Sequence, residues 1–153
     1  MNQEKAIDVF NKLIVINNDR IEGYETALKE TEETEFKTLF AQFIRTSQKC
    51  KVELVREVQR LGGTPDEGTR ITGKFFRVWM DVKAALTGHN RETILNSCEY
   101  GESVASDTYK DVLTDNLEDI TTEQKAMLSA QHALLRTDYS AIKGLLSAME
   151  LQH

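Results

Sequence analysis

Apolar residues recur along this chain at intervals of three, four and seven, the spacing that gathers side chains on one face of a helix. Ile7, Phe10, Ile14, Ile21 and Leu28 align in this way and predict a first helix over about 3–30. Thr31-Glu32-Glu33-Thr34 then reads as a polar turn. Thr34 is the expected N-cap of a second helix, with Glu35 favourable in its first turn. Phe36, Leu39, Phe40, Phe43, Leu54, Val58 and Leu61 share one face of that helix. Gly62-Gly63 stops it, since glycine tolerates the left-handed conformation after a helix end. Asn90 is the expected cap of a third helix over about 91–115, with Ile94, Cys98, Ala105 and Val112 aligned. Asp115 to Ile120 is an acidic turn, and Thr121-x-x-Gln124 has capping-box spacing. A fourth helix over about 122–150 carries Met127, Leu134, Leu145 and Met149 on one side.

Five of the eight glycines and the only proline, Pro65, fall between residues 62 and 88. That punctuation divides the chain into two helical hairpins. The link is far longer than the usual ~2–8 residues of an up-down bundle. It contains its own amphipathic helix over about 72–87, striped by Phe75, Trp79, Val82 and Leu86. A crossover of this length lets the third helix run parallel to the second. The expectation is an all-α, single-domain chain over 1–153: a ferritin-like four-helix bundle, up-down-down-up, with a short crossover helix.

Polar residues on apolar faces are the informative ones, because burying them is costly unless they are paired. Helical projection puts Asn17 near the apolar centre of the first helix and Glu25 at its flank. The second helix offers Ser47 and Cys50. The third offers Cys98, Tyr109 and, at the edge, Glu102. The fourth offers Gln131 and Asp138. Asn17, Cys50, Cys98, Glu102 and Asp138 lie near the midpoints of their helices, so aligned helices would stack them in one layer. A di-iron carboxylate centre needs a Glu from two helices and Glu-x-x-His from the other two. The chain has Glu53-x-x-Arg56 instead, Ser129 stands three places before His132, His89 lies in the link, and His153 is the last residue. Cys50, Cys98, Glu102 and Asp138 have acceptable chemistry for zinc. The plainer reading is a buried hydrogen-bond layer that fixes helix register.

Composition narrows the classes. Hydrophobic residues make up 40% and charged residues 29%, which excludes a disordered or membrane-embedded chain. The net charge of −6 opposes a phosphate backbone, so nucleic acid is not an expected partner. Cys50 and Cys98 are too few for a disulfide framework and fit reduced thiols. With no signal-peptide pattern and no transmembrane run, the expected location is cytoplasmic. The link is locally basic: Arg70, Lys74, Arg77, Lys83 and Arg91 face the single Asp81. Its aromatic stripe reads first as a lid packed across the bundle. It also suits a homodimer interface or contact with a protein or an anionic membrane surface. No glycine-rich phosphate loop, Gly-x-Ser-x-Gly elbow or Cys-x-x-Cys pair occurs, so nucleophilic catalysis has no visible apparatus.

The string Cys98-Glu99-Tyr100-Gly101-Glu102 with Tyr109, the pair Gly62-Gly63, and Arg77-Val78-Trp79-Met80-Asp81-Val82-Lys83 together resemble the bacterial domain-of-unknown-function family 2383. The resemblance covers about residues 5–145. It implies a ferritin-like bundle, a bacterial origin and no established activity. Family members often show His-Asp on the last helix, where this chain has Thr137-Asp138. Glu99, Glu102 and Asp138 are the matched positions that carry over as candidate ligands. Glu99 falls well off the apolar face, so Glu102 is the better candidate. The expected function is non-catalytic, through protein association as a homodimer. The alternative is a protein or oxidase binding iron, manganese or zinc through Glu102, Asp138, Glu99, Cys50 and Cys98.

Overall fold

The computed structural model describes residues 3–68 and 90–151. Four long helices account for most of them: α1 (Gln3–Glu30), α2 (Thr34–Arg60), α3 (Arg91–Asp115) and α4 (Thr122–Leu151). A short 3-10 turn, Leu117–Asp119, lies between α3 and α4. The expected crossover helix over 72–87 lies outside the described residues, and with it any partner surface it carries.

Local chemistry sets the helix boundaries. The Asn90 side chain accepts from the Thr93 N–H at 3.0 Å, as an N-cap should. Thr121 and Gln124 form the reciprocal box: the Thr121 N–H donates to Gln124 Oε1, and the Gln124 N–H donates to Thr121 Oγ1. At α2 the structure differs from the expected cap. Glu33 is the N-cap, without a side-chain cap bond, and Thr34 is already helical. The reason lies one turn earlier, where Thr31 Oγ1 accepts from the Glu33 N–H and tightens the connection by a residue. Gly62 ends α2 with φ +82°, and its N–H bonds the Gln59 carbonyl. The chain then lies along α1: Asn11 holds both the Thr64 carbonyl and the Asp66 N–H, and Asn18 holds the Gly68 carbonyl.

Side-chain pairs fix the helix directions. Along α1, Asn17, Arg20 and Tyr24 meet Tyr109, Glu102 and Cys98 of α3, so these helices are antiparallel. Along α2, Cys50 and Glu57 meet Gln131 and Gln124 of α4, again antiparallel. Arg91, the first residue of α3, pairs with Glu33 and Glu35 at the start of α2 and lies 4.9 Å over the Phe36 ring. The four helices therefore run up, down, down, up.

The phase of α4 differs from expectation. Its buried line is Gln124, Leu128, Gln131, Leu135, Asp138 and Ile142. Met127, Leu145 and Met149 pack from the side and are only partly buried. Three polar residues on the buried stripe pull the apolar average away from the true interior. Glu25 is likewise fully on the solvent side of α1.

The apolar core forms two clusters. One centres on Phe10, Leu13, Ile14, Leu54 and Leu128. The other, near the α1–α2 turn, stacks Tyr24, Phe36, Phe40 and Phe43, with ring centroids 5.0–5.7 Å apart. Substituting Gly62 by alanine should cost about 1 kcal/mol in urea unfolding, because only glycine holds this left-handed stop without strain.

Candidate functional site: an arginine-centred layer

Between the two clusters lies a polar layer built from all four helices. Its centre is Arg20 of α1, which is completely buried. The guanidinium donates to Glu102 of α3 through Nε at 2.8 Å and Nη2 at 2.5 Å. Nη2 also donates to Asp138 Oδ2 of α4 at 3.2 Å. Nη1 donates to Ser47 Oγ of α2 at 2.5 Å. The Tyr24 and Phe43 rings flank it, at 5.7 and 6.0 Å from centroid to guanidinium carbon. Tyr24 beside Glu102, and Thr46 beside Asp138, each favour the ionised carboxylate.

A charge in so dry a place is tolerated only when paired. Burial alone would favour the neutral arginine. Glu102, Tyr24 and Asp138 together outweigh it, and the guanidinium is held more firmly charged than usual. Burial pushes both carboxyl groups upward, while Arg20 pulls each back towards the ionised form.

A second node sits one turn along α1. Asn17 donates to the Tyr109 hydroxyl at 2.9 Å and to the Leu13 carbonyl. Tyr109 donates to Gln131 Oε1 at 2.7 Å, and Gln131 reaches Glu53 at the edge of the layer and the Cys50 carbonyl. Burial raises Tyr109 well above the ordinary phenol range. The Tyr109 ring stacks parallel to His132, whose Nε2 shares a 2.9 Å hydrogen bond with Ser106 Oγ. Burial, with Arg136 and Lys110 close by, depresses the His132 imidazole.

The candidate ligands separate into groups. Glu102 and Asp138 converge, both on Arg20. Cys50 and Cys98 are buried free thiols. Burial pushes Cys50 up to about 11 and raises Cys98 further, so both stay protonated at neutral pH and are poor metal donors as they stand. Glu99 points away from the layer and pairs with Lys143 at 3.4 Å on the outside. Both oxygens of Glu102, and one of Asp138, already face a cation, so the donor set as arranged does not fit an added metal ion. Among the described residues, no three His, Cys, Asp or Glu side chains group as a metal site.

Arg20 and Tyr24 are absent from the sequence-derived layer. The signal was available: Arg20 is three residues from Asn17, on the same helical face. A long cationic side chain is ordinarily assigned to the surface, and only the pair of inward carboxylates on other helices argues otherwise.

Glu102→Ala should destabilise the fold by about 3–5 kcal/mol in urea unfolding, because it strands a buried guanidinium. His132 gives a pH signature. Its folded value lies below the ordinary ~6.5, so its contribution is complete above that pH and is lost as pH falls towards the folded value. His132→Gln should flatten that part of the stability curve between about pH 8 and 5.

No curated protein matches the chain. One family does match, over residues 5–115, and it is described as a domain of unknown function, DUF2383. The matched stretch spans α1 to α3 and stops short of α4, whereas the sequence resemblance was expected to run to about 145. The chain belongs to the DUF2383 family.

Proposed function

We propose that this chain is a non-catalytic ferritin-like bundle of bacterial, cytoplasmic origin that acts through protein association as a homodimer. One observation supports the reading. The central polar layer, where a bundle of this kind would place chemistry, is engaged internally by Arg20 through Glu102, Asp138 and Ser47. Such a layer fixes helix alignment and leaves recognition to the outer faces. No described helix is long and apolar enough to cross a membrane.

Size-exclusion chromatography with light scattering should give twice the 17.4 kDa chain mass at micromolar concentration. A clean monomer would count against association. Elemental analysis of the same preparation should show no stoichiometric iron, manganese or zinc. Stoichiometric metal that disappears in Asp138→Ala would replace this reading with the metal-binding one.

A further inference from the structure

We infer that Arg20 is the resident cation of the mid-bundle layer, and that Glu102, Asp138 and Ser47 form a divalent-cation site held shut by its side chain. The inference does not depend on whether the bundle self-associates.

The cradle is preorganised. Two carboxylates from different helices and a hydroxyl from a third converge on one positive group, and Arg20, Glu102, Ser47 and Asp138 are all at most 2% exposed. These are hard oxygen donors, the class that takes manganese or magnesium and tolerates zinc. A further oxygen is close by. Asn17 Oδ1, one turn from Arg20 on the same face of α1, is buried and has no hydrogen-bond partner among the described residues. Arg20 satisfies the carboxylates while its bulk fills the space between them. Shortening residue 20 removes charge and volume together. Two facing carboxylates cannot both remain ionised in a dry interior without a counter-charge. The vacated space then accepts a small divalent ion, which supplies that charge in a compact form. The same logic makes the wild-type layer refractory to such ions, since loading would require a buried guanidinium to leave its partners.

The test uses the full chain as wild type, Arg20→Ala and Arg20→His, the last adding a nitrogen donor at the same backbone position. Each is melted with EDTA, and with millimolar Mn²⁺ or Zn²⁺. The wild-type midpoint should not move. At least one variant should melt lower than wild type in EDTA and gain about 5 °C or more with ion, by preferential binding to the folded state. Adding Asp138→Asn should abolish that gain. If a variant is unfolded in EDTA, recovery of its helical circular dichroism on refolding with the ion is the equivalent readout. The inference is overturned if neither variant responds by either measure, if the response survives Asp138→Asn, or if wild type shows the same Asp138-dependent shift.

Discussion

A guanidinium with no access to water must be answered by carboxylates, and the middle of this bundle follows from that requirement. Arg20 draws one group from each of the other three helices: Ser47, Glu102 and Asp138. An apolar seam tolerates small slides of one helix along another. A forked donor with four short contacts tolerates very little, because a shift of one residue would leave a charge facing hydrocarbon. A layer of this kind disfavours shifted alignments of the two hairpins.

The apolar clusters on either side make sense in that frame. The stack of Tyr24, Phe36, Phe40 and Phe43 excludes water from one side of the ion cluster and supplies ring faces against the guanidinium. Tyr109 serves the opposite side. Its hydroxyl links Asn17 to Gln131 inside, and its ring face meets the half-exposed His132 outside. The interior network therefore reaches the surface through the Tyr109 ring face and, by way of Gln131, through Glu53.

Much of this was legible from residue patterns. The helix bounds, the Asn90 cap, the Thr121–Gln124 box and the Gly62 stop are local, and local rules recovered them. So were the buried positions of Asn17, Ser47, Cys50, Cys98, Glu102, Tyr109, Gln131 and Asp138, each read from helical phase. One local expectation failed, the Thr34 cap, which Thr31 displaces to Glu33; the other failures were decided by another helix. The phase of α4 was offset because Gln124, Gln131 and Asp138 occupy the interior yet add nothing to an apolar average; Gln131 and Asp138 still projected inward, while Leu128, Leu135 and Ile142 were passed over. Arg20 was overlooked because its burial is set by Glu102, 82 residues away. Glu25 shows the converse, a flanking position on α1 that lies exposed.

The order up, down, down, up has an electrostatic consequence along the bundle axis. α1 and α4 point one way, α2 and α3 the other, so their helix macrodipoles cancel in pairs. Each end presents two donor-rich starts beside two acceptor-rich finishes. At one end, Glu35 and Glu92 lie in the first turns of α2 and α3, and Lys29 lies in the last turn of α1. Each charge thus complements the terminus it sits on. Among the described helices, the paired dipoles leave little net axial field at either end. For these four helices, long-range steering of a partner falls to side chains, which carry a net −6 over the whole chain.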